Sequence, residues 1–176
     1  MRGGRFWAVF IIALLVASQG EVKGQMRLYS EAFENGKAIP VKYAYCGPGA
    51  RNLSPPLHWV DAPANAKSFA LLVHDPDAPV GDFVHWVVYD VPATVTDLSE
   101  GASGRGGFLE GLNDYGFVGY GGPCPPPGSA HRYFFDLYAL SVPGLSLSAG
   151  ASAAEVVEAI RPYVLARAEL IGIYQR

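Results

Sequence analysis

The chain has 176 residues, half of them apolar and 16% charged, a composition that describes one globular domain rather than a disordered or multidomain protein. Its formal net charge is −3 and its Lys and Arg are scattered. It therefore offers no basic field to a polyanion, which excludes nucleic-acid binding as a primary role.

The N-terminus points to export. Arg2 and Arg5 precede an apolar run from Phe6 to Ala17, and small residues follow, the layout of a secretory signal. The run is shorter than the roughly 20 residues a membrane-spanning helix needs. The expected division is a signal peptide over residues 1–24, cut after Gly20 or Gly24, and a single β domain over 25–176 with no transmembrane anchor after cleavage. An uncleaved anchor is the alternative. Cutting after Gly24 removes Arg2, Arg5 and Lys23 but only one acid, Glu21, so the exported form is the more acidic one. The expected location is periplasmic or secreted.

Along the chain, "QMRLYSEAF" alternates as a half-buried strand does. "IPVKYAYCG" alternates again and would put Val41, Tyr43 and Tyr45 on one face. "NLSPPLHWVDAP" is a turn-rich crossing whose prolines argue against a central strand. "SFALLVHD" and "FVHWVVYDVP" are apolar runs of strand length, rich in β-formers. Nine glycines between Gly101 and Gly122 mark a long structured loop. "HRYFFDLYALSV" is the next strand. "SAAEVVEAIRPYVLARAEL" has helical periodicity, with Ser152 and Glu155 spaced as a capping box and Val156, Ile160 and Val164 on one face. Pro162 should end or kink that helix, and "ELIGIYQR" reads as a closing strand. The fold expected is mainly β, two packed antiparallel sheets with one C-terminal helical segment.

Cys46 and Cys124 both sit in Gly/Pro-rich turns. In an oxidising compartment they can form one disulfide; the other reading is two ordinary buried thiols. They are too few for a structural zinc site.

Three stretches put titratable groups at the ends of apolar strands. Asp75 and Asp77 leave a strand in "HDPDAP", His85 interrupts the apolar "FVHW", and "GPCPPPGSAHRY" ends a stiff proline loop on His131 and Tyr133. Residues i and i+2 share a strand face, so His131 and Tyr133 point the same way. Taken alone, His85 reads as a core histidine bonded to a carbonyl, and Asp75 and Asp77 read as turn caps. As an enzyme, the chain has no G-x-S-x-G, and Ser129 lies in a loop. Cys124 with His131 is the one conceivable Cys–His pair. Asp75, His85 and His131 could hold a metal by ligand type, without H-x-H or H-E-x-x-H spacing to support it. His58 and His74 read as ordinary surface or packing residues.

In order and at these spacings, "DPDAP", "HW", "GPCPPPG" and "HRYFFDLYAL", with "NLSPPLHW" and "AELIGIY", resemble the phosphatidylethanolamine-binding protein family, in its bacterial branch of Raf kinase inhibitor-like proteins. The likeness covers nearly all of residues 26–176. It implies a β-sandwich with a small pocket for anionic groups such as the phosphate of a phospholipid head. It places Asp75, His85, His131 and Tyr133 in the pocket and Asp77, Pro79, Gly122 and Pro123 at its rim. The implied protein is a non-enzymatic binder, without a cofactor, of a small anion or of a head group such as phosphorylethanolamine. The alternatives are an interaction module that inhibits a protease or other enzyme and, behind it, a metal-dependent enzyme. One departure is Phe83, where many relatives carry a tryptophan close before the pocket histidine. The kinase-inhibitor role of eukaryotic members does not carry over to an exported protein.

Overall fold

The computed structural model describes residues 24–176; most of the expected signal peptide lies outside them. Chain order gives β1 (Arg27–Tyr29), β2 (Lys37–Ala38), β3 (Leu57–Val60), β4 (Ser68–Asp75), β5 (Phe83–Pro92), β6 (Asp97–Leu98), β7 (Leu109–Glu110), β8 (His131–Leu140), α1 (Ala153–Ile160) and β9 (Val164–Tyr174). A three-stranded sheet runs β1-β3-β6, and a six-stranded sheet runs β2-β9-β8-β4-β5-β7. All pairings are antiparallel except β2 with β9, which is parallel.

The large sheet is covered on both faces, which explains its continuous apolar runs. Phe69, Leu71 and Val73 of β4 face the small sheet and pack with Leu57, Trp59, Trp86, Phe135, Leu137 and Leu170. Ala70 of β4 and Val87 and Tyr89 of β5 face the other way, onto Val156 and Ile160 of α1. The helix starts as its sequence dictates. The Glu155 N–H donates to the Ser152 hydroxyl, and the Glu155 carboxylate accepts from the Ser152 N–H.

Three local expectations are corrected. Val41–Tyr43 form a single 3₁₀ turn rather than a strand, leaving Val41 and Tyr45 exposed while Tyr43 is buried. Pro40, with φ near −59°, sets up that turn. The "LHWV" segment is the central strand β3 of the small sheet, because Pro55 and Pro56 stop just short of its ladder. The helix stops at Ile160, a 3₁₀ turn carries Arg161–Tyr163, and Val164 opens β9 instead of continuing the helix face. Pro162 removes the donor that the next helical turn would need, so tertiary pairing with β8 takes over.

Cys46 and Cys124 are disulfide-bonded across 78 residues of chain. In the chain-entropy picture a loop of that size contributes about 4 kcal/mol by constraining the unfolded state. Cys46→Ser with Cys124→Ser should therefore lower the free energy of unfolding by about 2–5 kcal/mol. A denaturant titration that shows an unchanged midpoint would refute this.

Candidate functional site

The polar groups gather where three neighbouring strands of the large sheet end together: the last residue of β4, the first turn of β5 and the start of β8. Asp75 is buried at the end of β4. One of its oxygens accepts the Asp77 N–H at 2.8 Å, closing an Asx turn, and the other lies 2.7 Å from His131 Nδ1. A carboxylate only accepts, so Nδ1 of His131 carries the hydrogen and Nε2 is the ring atom left free. Two residues on, the Tyr133 hydroxyl is buried and has no hydrogen-bond partner. Burial, foremost, and the nearby Asp75 charge push its phenol far above the ordinary value, so it stays a protonated donor.

His85 reaches the same spot through a break in strand geometry. Val73 pairs with Trp86 but His74 pairs with Val84, so His85 has no partner across the ladder and forms a β-bulge. Regular alternation would put His85 on the helix side with Val87. The bulge turns it to the face of Asp75 and Tyr133 instead. Its Nδ1 lies 2.6 Å from the Gly121 carbonyl. A carbonyl cannot donate, so Nδ1 holds the hydrogen and Nε2 presents a lone pair. Burial lowers the pKa of His85 against the opposing pull of Gly121 and Asp75, which keeps the ring neutral near pH 7. Tyr133, Phe83 and Tyr115 pack around it, with ring centroids 5.1, 5.1 and 5.6 Å away.

These groups line a cavity of about 260 Å³. Asp75, His85, His131 and Tyr133 supply its polar groups; Ala78, Pro79 and Val80 form one wall and Cys124, Pro125 and Pro126 another, with Phe83 and Tyr115 completing it. No Lys or Arg is among the lining residues. Larger concavities of about 370 Å³ beside Asp97–Phe108 and about 720 Å³ beside Gln25–Tyr29 are not lined by any of the buried Asp and His side chains.

Of the rim residues expected from sequence, Pro79 lines the cavity, whereas Asp77, Gly122 and Pro123 stand behind it. Asp77 faces outward onto Arg132, accepting from its backbone N–H and its guanidinium at 2.8–3.0 Å. The guanidinium bonds hold its carboxyl well below the usual range, at about 2. Gly122 lets two backbones touch: a Cβ there would fall 1.9 Å from the Tyr43 carbonyl oxygen. Its N–H donates to Asn52 Oδ1, and the Pro123 carbonyl accepts from Tyr45. Beside these contacts the disulfide anchors the proline wall. Among the described residues no cluster of three His, Cys, Asp or Glu side chains has the arrangement of a metal site.

His74 has a role its isolated position in the sequence did not signal. It lies on the opposite face of β4 from Asp75, with Nδ1 2.6 Å from Asp82 and Nε2 3.3 Å from the buried Asp136, which Arg167 also contacts. Two carboxylates on two ring nitrogens call for a doubly protonated ring. Burial opposes the charge, but the bonds to Asp136 and Asp82 prevail and raise the pKa above its ordinary 6.5. Asp82 ends the turn that carries Ala78, Pro79 and Val80, so this contact ties down one wall of the cavity.

Comparison of the whole chain with known proteins gives its family. Residues 29–175 match the family model described as phosphatidylethanolamine-binding protein. A UPF0098 protein of Aquifex aeolicus is 46% identical over 155 residues, covering 86% of this chain and 89% of that one. Another from Methanothermobacter thermautotrophicus is also 46% identical, over 86% of this chain and 99% of its own. The crystal structure of a phosphatidylethanolamine-binding protein homologue from Chlamydia trachomatis superposes with a TM-score of 0.79 at 41% identity, covering 86% of this chain and 98% of that one. That of E. coli YbcL, described as a new member of the mammalian PEBP family, gives 0.81 at 33% identity, over 87% and 99% of the two chains. The chain belongs to the phosphatidylethanolamine-binding protein family.

A raised folded-state pKa at His74 stabilises fully below about pH 6.5, and the contribution is lost as pH rises through the folded value. From about pH 6 to about pH 8.5 His74 should pull the unfolding free energy down, against the opposite slope from His85, whose folded pKa is lowered. Asp82→Asn should remove part of the His74 contribution, and an unchanged slope would show that the contact does not titrate with folding.

Proposed function

We propose that this is an exported binding protein whose cavity takes a small anion, such as the phosphate of a phospholipid head group or of phosphorylethanolamine. Family membership supports ligand binding in general. The observation that carries the anion reading is the Tyr133 hydroxyl, a buried donor without a partner at the cavity. An unmade hydrogen bond at a buried hydroxyl costs about 1–3 kcal/mol, which a ligand oxygen can recover. His131, its ring held through Nδ1 by Asp75, leaves Nε2 as a further polar atom at the same cavity. The apolar walls, where the effective dielectric is low, strengthen each polar contact made to an anion there.

Binding rather than catalysis is the activity proposed. The Asp75–His131 pair would orient a base, but the sulfur at the cavity wall, Cys124, is bonded to Cys46 and is not a free nucleophile. Export is proposed from the N-terminal segment and is in keeping with the disulfide, a bond that persists in oxidising compartments.

Calorimetric titration of the chain beginning after Gly24 with phosphorylethanolamine near pH 7 tests the reading. Tyr133→Phe should weaken binding about 10- to 100-fold, the worth of one hydrogen bond to a charged group, and His131→Ala should remove measurable heat. No heat from the unmutated protein would sink the anion-pocket proposal.

A further inference from the structure

Cys124, Pro125 and Pro126 form one wall of the cavity, and their chemistry makes that wall hard to hold. Pro125, Pro126 and Pro127 carry no N–H, so they offer no donor to a neighbouring segment. The stretch is tied at its two ends. The Pro123 carbonyl accepts from the Tyr45 N–H at 2.9 Å, and the Gly128 N–H donates to the Arg176 carbonyl at 3.3 Å. Between these ties the Cys46–Cys124 bond links the wall to the rest of the chain. Both cysteines are half-buried rather than enclosed, and accessible disulfides are the readily reduced ones. Arg176 places a guanidinium nitrogen 3.1 Å from Cys46 Sγ and 3.8 Å from Cys124 Sγ. A cation there stabilises negative charge on a departing sulfur, and a better leaving thiolate speeds exchange.

From this we infer that the Cys46–Cys124 bond is a redox latch on the cavity: a dithiol reaches Cys124 from the cavity side, and reduction frees the proline wall and weakens ligand binding. The inference rests on the binding reading above and adds a control of the same site. One thiolate of the dithiol attacks Cys124 Sγ, forming a mixed disulfide while Cys46 leaves as a thiolate beside Arg176. The second sulfur of the reagent then displaces Cys124 and closes the reagent's own disulfide. Two electrons have passed to the protein, and the protons released by the dithiol end on Cys46 and Cys124. A ligand in the cavity stands between the reagent and Cys124, so occupancy protects the bond. By linkage, the factor that reduction costs in affinity is the factor by which saturating ligand favours the disulfide.

The test uses the chain beginning after Gly24, dithiothreitol as the dithiol and phosphorylethanolamine as the ligand. Thiols trapped by alkylation should appear without denaturant, and about two- to fivefold more slowly in Arg176→Gln, the scale of one exposed charge contact. Phosphorylethanolamine should slow their appearance in step with the fraction of cavity it occupies. The reduced protein should bind it at least about fivefold more weakly. Hydrogen exchange should speed at the Gly122 and Gly128 amides, which bond to Asn52 and Arg176, while amides in the middle of β4 and β8 keep their protection. Equal speeding at all of them would mean global unfolding and would overturn the latch, as would thiols that form only in denaturant. Equal affinity of the oxidised and reduced forms would also overturn it and leave the anion pocket standing. No heat with the oxidised protein would remove the anion reading alone; the latch then stands or falls with the two wall amides.

Discussion

Burial of the large sheet on both faces is the constraint from which the rest follows. With the small sheet on one side and α1 on the other, β4, β5 and β8 have almost no wet surface along their middles. A charged side chain there would lose several kcal/mol of hydration without recompense. Titratable groups therefore stand at the strand ends or, like Asp136 in the middle of β8, are paired with a partner such as Arg167. Because β4 lies antiparallel between β5 and β8, the end of β4 meets the beginnings of both neighbours. Asp75, His85 and His131 converge for that reason, though His131 lies 56 residues along the chain from Asp75.

Within the cluster, polarity is arranged by subtraction. Each group that could have turned to the cavity in several ways has one option removed by the protein. Asp77 N–H and His131 consume the Asp75 oxygens, Asp75 takes one nitrogen of His131, and Gly121 takes one of His85. What is left over is a defined set of donors and acceptors around one small space. The apolar walls from Ala78 to Val80 and from Cys124 to Pro126 then strengthen each remaining interaction by keeping water out.

The walls are held from behind, by contacts that themselves touch no ligand. His74 fastens Asp82 and Asp136 on the far face of β4, Arg132 grips Asp77, and the disulfide with the Gly122 backbone contact fixes the proline loop. Prolines contribute stiffness but few donors, so the loop depends on these lateral ties for its position.

Much of this was legible in the residues. The apolar runs of β4, β5 and β8 declared themselves by composition, the start of α1 by Ser152 and Glu155, and the pairing of His131 with Tyr133 on one face by strand period alone. Tyr43 and Trp59 were misread because a 3₁₀ turn and a short strand after prolines have no period long enough to detect. The roles of His85 and His74 were beyond local reading. Strand period assigns His85 to the helix side, and only the ladder with β4 reveals the extra residue that reverses it. His74 gains its two carboxylates from Asp82 across a turn and Asp136 on β8. The sequence by itself determined which residue types were available and the faces they take within a strand, since those depend on neighbours along the chain. Tertiary structure alone decided which nitrogen of His85 and of His131 is free, because that depends on a carbonyl or carboxylate delivered by another part of the chain.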